Sequence, residues 1–191
     1  MSRPNHILLI ISFLSFTVLF SSALVGQKNI FFKTYSTTEG LPSGTINEIW
    51  KDKKGFLWLL SENTLTRFDG YDFVTYRNKA NDSTSISSAS VYKAVSDSAG
   101  NTFFQTYNSI SKYNYSTGTF KQILKFSSYT DINSFGSRNR IVYCIYNKQL
   151  LLIDGITDNE SRYKLPEPLI SKGRIFVYAT NSSFFLFNNN V

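Results

Sequence analysis

The feature that most limits how this chain can fold is an internal repeat. Sliding the sequence against itself by 45 positions lays "DKKGFLWLLSENTLTRFD" on "DSAGNTFFQTYNSISKYN" without a gap. Asp52 meets Asp97, Gly55 meets Gly100, Trp58 meets Phe103 and Leu65 meets Ile110. Arg67 then meets Lys112, Phe68 meets Tyr113 and Asp69 meets Asn114, while upstream Ile46 falls on Val91. Two fainter copies follow. "YCIYNKQLLLIDG" sets Leu150, Ile153, Asp154 and Gly155 in the register of Leu65, Phe68, Asp69 and Gly70, and "VYATNSSFFLFN" does the same with Phe184, Phe187 and Asn188. The copies are spaced by 45, 40 and 34 residues.

A period near 45 with several short strands and turn signals in each unit predicts β-propeller blades, small antiparallel sheets that bury their faces only by stacking on neighbours. In the first copy the strands are expected at Ile46–Trp50, Phe56–Ser61, Leu65–Phe68 and Phe73–Tyr76. Asp52 to Gly55 makes the first hairpin turn, with Gly55 free to take positive φ. Asn63-Thr64 lies in the second connection, and Asp69-Gly70 gives a tight third turn. Trp58 is expected as an inward aromatic of a buried strand and not as a ligand platform. Composition agrees: aromatics reach 16% and charge is sparse, which suits packing on pleated surfaces. The fold class expected is all-β, an incomplete β-propeller of about three to four antiparallel blades after an N-terminal signal segment, because propellers close with roughly four to eight blades.

Residues 1–26 are expected to be a cleaved signal peptide. Arg3 is followed by an apolar run from Ile7 to Phe20 and then by small residues, and Ser21-x-Ala23 offers a cleavage site, with the junction before Gln27 as a second. The run is short for a membrane span, and no later run approaches span length. Residues 27–191 form the partial propeller, with blade-like copies at 46–76, 91–124, 131–165 and 169–191. Loss of Arg3 lowers the formal charge of +7 by one, and the remaining basic residues are scattered except for Lys51, Lys53 and Lys54, so no nucleic-acid partner is expected through this segment.

The remaining candidate chemistry is thin. His6, the one histidine, lies in the leader, so the exported chain has no phosphoacceptor for a histidine kinase, no histidine triad and no histidine metal site. No cofactor, catalytic residue or metal ligand is therefore assigned. Cys144, inside "IVYCIY", reads as a buried small hydrophobe. Asp69 and Asp72 could be drawn as a carboxylate pair, but Asn114 replaces Asp69 in the next copy, so turn capping is the expected role. Asn81, Asn114, Asn159 and Asn181 fit the glycosylation acceptor pattern by chance in a chain rich in Asn and Ser. Tyr71, Arg77 and Tyr107 are conceivable ligand contacts, although no binding residue is assigned.

"YSTTEGLPSGTINEIWKDKKGFLWLLSENTLTRFDGYDFVTY" resembles the two-component regulator propeller repeat family. Gly40-Leu41-Pro42, Asp52, Gly55, Leu57-Trp58, Leu65 and Arg67-Phe68-Asp69 match its pattern, and Asn63-Thr64 replace the small-Gly pair usual before the Leu. "NDSTSISSASVYKAVSDSAGN" is similar to the family's link into a second blade. The resemblance implies the N-terminal part of an exported, periplasmic sensor region of a hybrid two-component histidine kinase and response regulator that binds oligosaccharides, with no kinase activity in this segment. It also implies that Phe32 to Tyr35 supplies the outer strand of a last blade absent from this chain. The ring would then be completed by further blades of a longer chain or by a second chain. An exported propeller enzyme, polysaccharide lyase-like, and a truncated product without function are the competing expectations.

Overall fold

The structure, a computed structural model, describes residues 30–42, 45–61, 63–170 and 174–188. The expected signal peptide, residues 1–26, lies outside them. The chain divides into two units, Met1–Thr34 and Tyr35–Val191. In the first, residues 30–34 have no regular secondary structure, and Ile30, Phe31 and Phe32 are exposed. Among the described residues, Phe32 to Tyr35 therefore belong to no strand.

Among the described residues, the second unit holds three four-stranded antiparallel sheets and one hairpin. The first blade comprises β1 (Ile46–Lys51), β2 (Leu57–Ser61), β3 (Leu65–Phe68) and β4 (Phe73–Tyr76). The second comprises β5 (Val91–Ser96), β6 (Thr102–Thr106), β7 (Ser109–Asn114) and β8 (Thr119–Lys125). The third comprises β9 (Ile132–Arg138), β10 (Ile141–Tyr146), β11 (Gln149–Asp154) and β12 (Glu160–Lys164). Each sheet follows sequence order, and a hairpin of β13 (Ile175–Ala179) and β14 (Phe184–Asn188) comes after them. No helix among the described residues is long and apolar enough to cross a membrane.

The three apolar cores lie between blades. Trp58, Leu60 and Leu65 of the first blade meet Val91, Phe104, Tyr113 and Phe120 of the second. The repeat partners of Trp58 and Leu65, Phe103 and Ile110, face forward in the same way and meet Phe135, Val142, Cys144 and Leu151 of the third blade. Ile145 and Leu150 then meet Ile175, with Val177, Phe184 and Leu186 packed alongside. Trp58 is completely buried, its ring edge-on to Phe104 and Tyr113. It is architecture, as the repeat requires.

The Asp52 turn explains why Asp, Gly and an aromatic recur at fixed spacing in the first two copies. Asp52 Oδ1 accepts from the Lys54 and Phe56 amides at 2.9 and 3.0 Å. Its Oδ2 accepts from Trp58 Nε1 at 2.8 Å and from the Tyr115 hydroxyl of the next blade at 2.5 Å. Gly55 completes the turn at φ 94°. In the second blade Phe103 has no indole N–H, and Asn101 substitutes: its amide and its Nδ2 donate to Asp97 at 2.9 and 2.7 Å, while Nδ2 also reaches the Gly155 carbonyl of the third blade at 2.9 Å. The basic position after the core residue staples blades too. Arg67 donates to the Tyr113 hydroxyl at 2.9 Å, and Lys112 pairs with Asp158 at 2.8 Å, each partner 46 residues on.

The later copies depart from the repeat. The third blade lacks the Asp turn, and Asn139, Asn147 and Lys148 take positive φ in two-residue hairpin connections instead. The last hairpin corrects an expected register. β13 runs beside β9 in the same direction, with Ser134 bonded to Ile175 and Val177 and Arg138 bonded to Asn181. β13 thus takes a first-strand place, and Phe184 opens the second strand, not the third. The misleading likeness has a local cause: Thr180 and Ser183 close their turn with the same hydroxyl-to-backbone bonds as Ser61 and Thr64 or Thr106 and Ser109.

Three substitutions test this packing. Trp58→Phe keeps most of the buried area but removes one donor to a buried carboxylate, so the chain should lose about 1–3 kcal/mol in urea unfolding. A Cβ at Gly155 would fall on the Asp97 carboxylate and the Arg140 carbonyl, whereas one at Gly70, whose φ is 106°, meets nothing within 4 Å. Gly155→Ala should therefore destabilise by about 1–3 kcal/mol through overpacking. Gly70→Ala should cost about 1 kcal/mol, from backbone conformation alone. Equal losses would contradict the close packing at Gly155.

Candidate functional site

Antiparallel order places the starts of the first strands and the β2–β3 and β6–β7 turns at one end of the blades. The Asp52, Asp97 and Asp69 turns lie at the other. At the first end, each of β1, β5 and β9 carries a bulge near its start. The bulge between Val91 and Lys93 lets the consecutive residues Tyr92 and Lys93 line the same cavity, and the one between Ile46 and Glu48 does so for Asn47 and Glu48. In β9, Ser134 adopts φ 53° at the bulge.

Three tyrosines gather at this end. Tyr92 and Tyr129 stack with ring centroids 4.1 Å apart and planes 13° apart, and Tyr107 lies 6.2 Å from Tyr129. Their exposures of 43%, 40% and 46% leave ring surface open beside a buried scaffold. The loop carrying Tyr129 is held at several points: the Ser127 and Ser128 amides donate to Asp131 at 3.0 and 2.9 Å, and Gln105 Nε2 reaches the Tyr129 carbonyl at 3.4 Å. The platform is preorganised.

Beside it opens a cavity of about 590 Å³, lined among others by Tyr92, Lys93, Gln105, Tyr129, Asn133 and Phe176. A second cavity of about 520 Å³, with Asn47, Glu48, Asn63 and Ser90, shares Tyr92 with the first. Together they present aromatic faces, amides and hydroxyls, the mixture that fixes a polar ligand with an apolar ring face. Among the described residues no group of three or more His, Cys, Asp or Glu could hold a metal.

Of the residues considered from sequence, Tyr107 joins this cluster. Tyr71 sits in the β3–β4 turn at the opposite end, 87% exposed, and Arg77 follows the outermost strand β4. The structure does not bring the three together. Asp69 caps its turn, accepting from the Tyr71 and Asp72 amides at 2.9 and 2.8 Å, and these bonds hold its carboxyl below the usual range. Asp154 repeats the motif through the Ile156 and Thr157 amides, with Arg140 alongside, and is lowered to about 2.

Tyr92 and Tyr129 were missed. For Tyr92 the signal lay in the repeat, which sets it at the place of Asn47, as it sets Tyr107 at that of Glu62, while Tyr129 lies between strands where the repeat gives no guide. Aromatics placed where the architecture asks only for a polar residue are candidates for contact with something else.

No protein-family model matches the chain. Over 78 residues, 41% of its length, it is 37% identical to Histidine kinase P4 of Formosa agariphila, and the stretch covers 6% of that protein. In three dimensions it is similar to the extracellular domain of a protein of B. thetaiotaomicron named as a hybrid two component system, with TM-score 0.57 and 16% identity, covering 83% of this chain and 22% of that one. Virginiamycin B lyase from Staphylococcus aureus is similar at TM-score 0.51 and 13% identity, over 75% of this chain and 55% of that one. The chain thus spans a small part of the length of the first two. The likeness shows the fold, a propeller-like stack of four-stranded antiparallel sheets.

Cys144, the single cysteine, has no place in this site. It is fully buried between the second and third blades, and burial pushes its thiol up to about 12. A thiol reagent at pH 8 should leave the native chain unlabelled and modify it once denaturant unfolds it. Rapid labelling of the native chain would place Cys144 elsewhere.

Proposed function

We propose that this chain is the front part of an exported, periplasmic ligand-sensing propeller of a hybrid two-component regulator, and that its ligand is an oligosaccharide. The observation that carries the ligand reading is the cluster of Tyr92, Tyr107 and Tyr129 at two adjoining cavities. A sugar ring offers an apolar face that stacks on a tyrosine and hydroxyls that bond to amide and hydroxyl side chains, and this end of the blades supplies both. The stretch similar to a histidine kinase and the likeness to an extracellular domain support the sensing context.

The partner implied is the rest of the propeller. Ile175, Val177, Phe184 and Leu186 pack on the third blade, while Phe176, Tyr178, Phe185 and Phe187 form two cross-strand pairs on the other face and are 48–63% exposed. That face has the character of those covered by a following blade elsewhere in the chain, and further blades are its proposed occupant.

Calorimetric titration of the secreted chain with a panel of oligosaccharides tests the reading. One or more should bind without being cleaved. Tyr129→Ala should weaken binding about tenfold, roughly 1.4 kcal/mol, and Tyr71→Ala should leave it unchanged. Equal effects of the two substitutions would remove the site, and chain shortening of the saccharide would favour the lyase-like reading.

A further inference from the structure

The two cavities that share Tyr92 differ in charge. Lys93 and Arg174 line the larger, and among its described lining residues there is no Asp or Glu. Glu48 lines the smaller, with no Lys or Arg among the described residues there. The contrast follows from equivalent bulges in repeated strands: Lys93 and Glu48 occupy the same repeat position, 45 residues apart. Each is exposed beside its cavity.

We infer that this track takes an acidic saccharide, one bearing carboxylate or sulfate ester groups, with its charged unit at Lys93 and Arg174 and an uncharged unit towards Glu48. The proposal rests on the saccharide reading of the site and adds its charge and direction. An anion beside two cations in an open cleft gains modestly at each contact, and more where the contact becomes a charged hydrogen bond. The same anion placed beside Glu48 is repelled, so the two ends favour one orientation of the ligand. The exposed ring surface of the stacked Tyr92–Tyr129 pair takes the sugar's ring face.

The test is titration of the full chain with three tetrasaccharide probes: a galacturonate, a sulfated galactan and a neutral galactan. At low salt at least one charged probe should bind about tenfold tighter than the neutral one, and the advantage should shrink as salt screens the exposed contact. Which charged probe binds better separates carboxylate from sulfate. Lys93→Gln should weaken the favoured charged probe about fivefold and the neutral probe much less. Lys53→Gln, in the β1–β2 turn at the opposite end, should change neither and so exclude a general effect of net charge. A neutral probe that binds as tightly as both acidic ones, or a Lys93→Gln chain that binds like the original, overturns the acidic proposal and leaves the saccharide reading standing. Failure of all three probes overturns both.

Discussion

The Asp52 carboxylate is the interaction on which the rest of the fold depends. It is 4% exposed and accepts four hydrogen bonds, two from its own turn, one from the core indole and one from the following blade. A buried carboxylate is tolerable only when its lone pairs are filled, and here filling them performs three structural tasks. The amides fix the hairpin that starts β2. The indole fixes the side chain that fills the inter-blade core. The Tyr115 hydroxyl fixes the neighbour, and that phenol's own ionisation is pushed above its ordinary value by burial first and then by the carboxylate it faces.

Stacking follows from the same logic. A four-stranded sheet of this length has two faces to cover and no interior of its own, so each blade's forward face is completed by the next. The basic position at Arg67 and Lys112 reaches across that seam in both blades, to a hydroxyl in one and a carboxylate in the other. Arg67 also lies 4.6 Å over the Phe56 ring and Lys112 lies 5.7 Å from that of Phe103, so the cations cover apolar surface as well as bonding across it. Chemistry changes from copy to copy while the seam is kept.

This is why the first two blades were legible in sequence. Their four first-blade strands lie within a residue of the expected bounds, because Asp, Gly, Trp and the capping Asp69 each have a local physical task at a fixed spacing. The third blade was fainter for an equally physical reason: its hairpins turn on Asn139, Asn147 and Lys148, which need positive φ but no Asp–indole pair. In the last hairpin a Thr180–Ser183 turn closes like the turns between second and third strands, and only the packing of β13 on β9 reveals its true position. Tertiary contact decided what local sequence left ambiguous.

The candidate site was the least legible part, since a repeat displays what stacking demands and hides what it does not. Residues at equivalent bulges are free to differ, and they do: Asn47 and Glu48 become Tyr92 and Lys93. The scaffold tolerates the change because all four residues are exposed and none belongs to an inter-blade apolar core. Exposed side chains can therefore diversify at the strand starts while Asp52, Trp58 and Arg67 hold the blades at the other end and within the seam. The two tasks are separated along each strand, which lets a chain built for stacking also carry the proposed binding surface.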